Sequence, residues 1–429
     1  MIRARAMGRR TVLLAVAMVS AAAAARAGDD GGEAKPAASE VSERARKVHA
    51  SGMLFDGHND LPWLLRTKGD MGLRKFDLSR RVEVAQTDIP RLREGGVKAQ
   101  FWSVYIPSDH PNPTKTVVEQ IDLVHRMIEK FPGDFALALS ADDVERAVAE
   151  GKIASLIGIE GGVAIDNGFA ELRAFHQLGA RYMTLTHNKT LDWVDAATGE
   201  RRHGGLTEFG EAVVREMNRL GMLIDISHVS AETMADALRV SQAPVIASHS
   251  NAFALCPVPR NVPDDMLAAV KENGGVVMVN FYSGFLVPGY FEKSRAAKAE
   301  IRKNHPDEEE RAKALAEWFQ NDASGVRGTI ATVADHVDHI VKVAGIDHVG
   351  VGSDFDGIDS WPVGLEDVSD FPRLTEELLR RGYSESDVHK ILGGNVLRAL
   401  REAEAVANRL QTETPPTVDE VKIDKEDDD

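Results

Sequence analysis

Eight short apolar runs alternate with amphipathic segments along most of this 429-residue chain, and that alternation is its strongest constraint on fold. The runs are Met53–Asp56, Val97–Tyr105, Ile153–Ile159, Tyr182–Thr186, Met222–Ile226, Val245–Ala247, Val276–Phe281 and His348–Gly352. Brief apolar runs bounded by turn residues read as strands buried on both faces. Between them, Val117–Phe131, Phe169–Leu178, Phe209–Leu220, Ala231–Val240, Met266–Glu272 and Ile330–Val343 space their apolar residues as helices do. Ser140 with Asp143 suggests a capping box, and Gly179 and Gly221 stand where helices should stop. The rhythm predicts an α/β fold, a single TIM-like (β/α)8 barrel, although an open doubly wound sheet has the same alternation. A barrel would gather reactive groups at the C-terminal ends of its strands.

The segments outside this rhythm are few. Residues 292–320, dense in charge, predict a solvated helical insertion between strands seven and eight, with a lid over the site as the alternative. Residues 366–381, 384–392 and 395–405 read as closing helices, which bounds the barrel at residues 46–407. Residues 28–45 are expected to form a flexible lead-in, and the acidic tail 408–429 a disordered end. Arg3, Arg5, Arg9 and Arg10, the apolar run Val12–Ala25 and Ala25-Arg26-Ala27 have the order of a signal peptide spanning residues 1–27. The expected result is an exported protein, periplasmic or secreted. A formal charge of −16, more negative once that segment is cleaved, argues against nucleic acid as a partner. The single cysteine, Cys256, excludes an intrachain disulfide, and no sequence signal for a membrane anchor is recognised.

The expected strand ends carry the chemistry. They hold His58 and Asp60, Glu160, His187, Asp225 to His228, His249, and Asp354. On an extended strand, residues two apart share a face, so His58 and Asp60 are expected to converge. Imidazole and carboxylate together suit a divalent ion such as zinc. The donors suffice for two ions, with His58 and Asp60 on one side, His228 and His249 on the other, and Glu160 between them. Metal ions roughly 3.5–4 Å apart can share a water and supply hydroxide at neutral pH. The glycines after Glu160 let the chain turn sharply there. His187 is then free to steady an oxyanion and Asp354 to move a proton.

These residues resemble the renal, or membrane, dipeptidase family of zinc hydrolases. The resemblance is carried by Asp56-Gly57-His58-Asn59-Asp60-Leu61-Pro62-Trp63, Glu160-Gly161-Gly162, Thr186-His187-Asn188, Ile226-Ser227-His228, Ser248-His249-Ser250, Arg260-Asn261-Val262-Pro263-Asp264-Asp265 and Asp354-Phe355-Asp356-Gly357, and runs from about Val48 to about Ala405. The His-x-Asp on the first strand, in place of His-x-His, is the dipeptidase variant of the wider amidohydrolase pattern. The resemblance implies two Zn2+ per chain and hydrolysis of dipeptides with free amino and carboxyl ends through a metal-bridging hydroxide. His58 and Asp60 would bind one ion, His228 and His249 the other, and Glu160 both. It also implies that His187 meets the substrate carbonyl, that Arg260 holds the terminal carboxylate, and that Asp354 handles the proton and the free amino group. Tyr282 is expected to line the pocket, and a homodimer is compatible with the resemblance. Lys189 stands near a position where the animal enzymes carry a disulfide cysteine, so neither their disulfide nor their membrane attachment is carried over. Another small-amide hydrolase, for an N-acyl amino acid or a β-lactam, is the alternative function, and a non-catalytic binding barrel a third.

Overall fold

The computed structural model describes residues 40–321 and 327–418. The expected signal peptide, most of the lead-in and residues 419–429 of the tail lie outside the described residues. Among the described residues there are nine strands: β1 (Leu54–Asn59), β2 (Val97–Tyr105), β3 (Phe135–Leu137), β4 (Ile153–Glu160), β5 (Ala180–Thr184), β6 (Leu223–Asp225), β7 (Ile246–Ala247), β8 (Val276–Val279) and β9 (Val349–Val351). All pairings between them are parallel. The order β2-β1-β9-β8-β7-β6-β5-β4 is closed by a β2–β4 ladder from Ala99↔Ala154 to Tyr105↔Glu160. Eight strands therefore form a closed barrel, and the open-sheet alternative is excluded.

The ninth strand was not expected from the sequence. β3 pairs with Ile153–Ser155, while β5 pairs with β4 only from Ile157 onward. It fills the part of the β4 edge that β5 does not reach, and at three residues it is too short to register as an apolar run. The expected helices are present, among them Ala231–Val240 and Ile330–Ala344. Two expected boundaries move. A helix starts at Glu43, capped by the Ser42 hydroxyl, so the lead-in does not extend to residue 45. The last helix, Asn395–Glu413, includes residues 408–413, which were assigned to the tail. The 292–320 region is helical, Tyr290–Asn304 and Glu308–Asn321, between β8 and β9. Among the described residues no helix is long and apolar enough to cross a membrane.

Alternation along the strands separates two cores. Ile153, Ile157 and Ile159 of β4 face the helices, whereas Ala154 and Leu156 join Phe55, Phe101, Tyr182, Leu223, Ile246 and Met278 inside the barrel. Continuing each inner file toward the C-terminal end gives Ser103, Glu160, Thr184, Asp225, Ser248 and Asn280, a buried polar layer above an apolar floor. Gly158 stands directly beneath Glu160, and a Cβ there would lie 2.0 Å from Cζ of the buried Tyr182 ring. Gly158→Ala is expected to overpack this layer and destabilise the fold by about 1–3 kcal/mol. Thermal unfolding would show it as a lowered Tm.

Candidate metal centre and active site

Each buried imidazole at this end has its inner nitrogen held by a neighbour. His58 Nδ1 lies 2.9 Å from the Tyr182 hydroxyl, His249 Nδ1 2.8 Å from Ser248 Oγ, and His228 Nδ1 3.1 Å from Asn188 Oδ1. Ser248 donates its hydroxyl proton to Asp225 Oδ2 at 2.6 Å, so its oxygen accepts from His249 Nδ1. The Asn188 carbonyl oxygen also only accepts. His249 and His228 therefore carry their protons on Nδ1 and present Nε2 lone pairs to the centre. Those two Nε2 atoms are 2.8 Å apart, an arrangement of facing lone pairs that suits a shared cation.

Glu160 stands in the middle. Its Oε2 lies 3.4 Å from His58 Nε2, and its Oε1 lies 3.2 Å from His228 Nε2 and 3.6 Å from both His249 and His187 Nε2. Ser103 donates to Oε2 at 3.1 Å. Asp60 Oδ2 is 3.3 Å from His58 Nε2. The expected convergence of His58 and Asp60 is present, but β1 ends at Asn59 and Asp60 begins the helix Leu61–Thr67. A turn, not the strand period, brings the pair together. Buried His58 Nε2 and Asp60 Oδ1 have no hydrogen-bond partner, as donors to a metal would not. The donor chemistry thus fits divalent ions. Three groups of ligand atoms lie within 4.8 Å of one another: His58, Glu160 and His249; Glu160, His187 and His228; and His58, Asp60 and Asp354. Glu160 is common to the first two. None of the three joins His58 or Asp60 to His228. His249 is grouped with His58, while its Nε2 lies 2.8 Å from that of His228, so it sits between the two sides.

The other cavity residues complete the site. Asp354 and His228 adopt left-handed backbone angles, φ +65° and +67°, conformations that cost of order 1–3 kcal/mol and gather at functional sites. Asn280 Nδ2 donates to Asp354 Oδ2 at 2.8 Å. Burial raises the Asp354 carboxyl well above its ordinary range, with Asp60 and Glu160 adding to the shift and His58 opposing it. Burial also lowers His187 to about 4, helped by Arg260, which leaves a neutral imidazole. Arg260 is only 2% exposed, yet among the described residues it has no carboxylate partner. Its fork donates to Ser250 Oγ and the His249 carbonyl, each at 3.3 Å, and it packs over Phe285. Burial pulls it down to about 10, still a cation at neutral pH. These side chains and Tyr282 line one cavity of about 630 Å³. Phe291, Arg295 and Lys298 of the inserted helix line it too, so the insertion is part of the site wall and not simply a solvated excursion.

The sequence of residues 42–414 matches the family described as membrane dipeptidase, peptidase family M19. The chain belongs to the membrane dipeptidase family. It is 41% identical over 385 residues to dipeptidase 3 of Mus musculus, a match covering 88% of this chain and 70% of that protein. PvdM from Pseudomonas aeruginosa superposes with a TM-score of 0.72 at 25% identity, over 85% of this chain and 98% of that one. A metallopeptidase from Rhodobacter sphaeroides, solved with a phosphinate mimic of the dipeptide L-Ala-D-Ala, has a TM-score of 0.65 at 27% identity, over 82% and 99%. The protein is thus a hydrolase, a metallo-dipeptidase on a TIM-like barrel.

Of the nine residues singled out from the sequence of this membrane dipeptidase, seven line the cavity, and the fully buried His58 and His249 lie behind them with Nε2 3.4 and 3.6 Å from Glu160. Sequence reasoning gave no role to Tyr182, Ser103, Asn280, Asn188 or the Asp225–Ser248 pair, which orient them. The available signal was polarity on an inner file: a Tyr, Ser, Asn or Asp inside an otherwise apolar strand. Gly357 is another, since a Cβ there would lie 2.1 Å from Asp60 Oδ2 and 2.7 Å from Asp354 Oδ1. Asp225 offers a direct test. Its Oδ2 accepts from both Thr184 and Ser248, and an amide nitrogen at that point would turn the Ser248 hydroxyl toward His249 Nδ1. The proton on His249 would then move to Nε2, where the lone pair is needed. Asp225→Asn is expected to weaken metal affinity about 10- to 100-fold, as measured by competition with a chelator.

Proposed function

We propose that this protein hydrolyses dipeptides with free amino and carboxyl ends, using two zinc ions held by His58, Asp60, Glu160, His228 and His249. The observation that carries the reading is Glu160, with one carboxylate oxygen toward His58 and the other toward His228 and His249. Bound there, the ions would polarise a carbonyl and make hydroxide available at neutral pH. The chain's own residues supply the rest. Arg260 offers a buried guanidinium fork to the terminal carboxylate and so fixes the distance from that end to the scissile bond. His187, neutral and beside Glu160, stands where the carbonyl oxygen would gain charge, and it can donate there once its Nε2 exchanges the N–H it accepts from Asn188 Nδ2 at 3.3 Å for a proton of its own. Asp354, held by Asn280 and raised by burial, is placed to accept a proton from the attacking water and pass it to the leaving nitrogen. Its carboxylate is also a partner for the free amino group. The order of charge, apolar run and small residues in 1–27 supports export to the periplasm or beyond.

A panel of L,L and L,D dipeptides, with N-acylated and C-amidated forms as controls, tests the reaction. Turnover is expected for the free dipeptides and strongly reduced for both blocked forms. Equal turnover of amidated and free forms would instead support a general small-amide hydrolase.

A further inference from the structure

We propose that Arg295 makes this enzyme selective for dipeptides whose carboxyl-terminal residue has an acidic side chain. The inference rests on the dipeptidase reading above and adds a substrate class to it. The inserted helix Tyr290–Asn304 places Phe291 and Arg295 on the cavity wall. Arg260 Cζ lies 5.0 Å from the Phe285 ring centre, the Phe285 and Phe291 rings are 5.8 Å apart, and Arg295 Cζ lies 5.6 Å from the Phe291 ring. The two guanidinium groups thus end one run of ring contacts, in which the Phe285 and Phe291 planes are tilted by 43°, with Arg260 at its buried end and Arg295 at its exposed end. A substrate whose terminal carboxylate meets Arg260 would have its last residue at the buried end of this run of contacts.

The charges around Arg295 single it out. Lys189 and Lys298 also line the cavity, but Lys189 is paired with Asp109 at 2.9 Å and Lys298 with Asp359 at 2.5 Å. Among the described residues Arg295 has no ion pair, and its one contact of this kind is the Phe291 ring. Space is available as well. A second hollow of about 520 Å³, lined by residues 197–199, Pro259, Phe291, Glu292 and Arg295, adjoins the first. Thr198, Phe291 and Arg295 belong to both. Glu292 lines the second hollow but not the main cavity, whereas Arg295 lines both.

The test compares kcat/KM for Ala-Glu, Ala-Gln and Ala-Lys, in the stereochemical form the enzyme accepts, for the unaltered enzyme and for Arg295→Gln, Arg295→Glu and Lys298→Gln. The unaltered enzyme is expected to favour Ala-Glu over Ala-Gln by about 2- to 5-fold, as an ion pair near the surface allows. The ratio should shrink at high salt, because the pair is open to solvent. Arg295→Gln should bring it to about one, Arg295→Glu should turn the preference toward Ala-Lys, and Lys298→Gln should keep it. An Ala-Glu to Ala-Gln ratio near one in the unaltered enzyme, or a preference that survives Arg295→Gln, would overturn the proposal and leave the dipeptidase reading intact. Absence of turnover on all three dipeptides would overturn both.

Discussion

Glu160→Gln is expected to lower kcat/KM by more than about a hundredfold and to reduce the metal retained by the purified protein. Residues that merely orient metal ligands already contribute about 10- to 100-fold, and Glu160 is a donor in two of the three ligand groups. Glutamine has almost the same shape, so packing around the inner file of β4 should survive. What changes is charge. The carboxylate lies within 3.6 Å of the Nε2 atoms of His58, His187, His228 and His249, and an amide N–H there would donate to a lone pair that a metal needs while supplying no negative charge. Unchanged far-UV circular dichroism with lost metal and lost activity is the expected combination. A variant that keeps both metal and turnover would show that Glu160 is only a structural carboxylate.

Arg260→Ala is expected to have the second largest effect, and a selective one. Removing one partner of a buried charge pair costs about 2–5 kcal/mol. That loss should fall on substrates with a free terminal carboxylate, and only weakly on C-amidated analogues. Selectivity matters because Arg260 also packs on Phe285 and donates to Ser250 and the His249 carbonyl. A general loosening of the site would lower both substrate classes equally, and steady-state kinetics on a matched acid and amide pair separates the two outcomes.

The barrel and the residues at its mouth were largely legible in the sequence, because buried parallel strands are apolar runs and reactive groups at their ends interrupt them. Glu160 illustrates this: Ala154, Leu156, Gly158 and Glu160 alternate on β4, so the pleat itself carries the carboxylate inward. Four things were less legible. Residues 135–137 form a strand only because β5 starts late and leaves part of the β4 edge to be paired. Asp60 reaches His58 through the start of a helix, a geometry that strand alternation does not contain. The residues that orient the imidazoles, such as Tyr182 and the Asp225–Ser248 pair, come from strands distant in sequence, and only barrel closure shows which ring each one meets. The charged insertion looked solvated because most of its side chains are, while Phe291, Arg295 and Lys298 turn to the cavity.

The central claim is that one shared carboxylate organises two catalytic metal ions. Its most direct test is metal analysis of the purified protein alongside turnover of a free dipeptide, before and after chelation and on stepwise return of zinc. About two zinc ions per chain are expected at full activity, with activity lost on chelation and restored by zinc. Full turnover by metal-free protein, or full activity at one ion per chain, would contradict it.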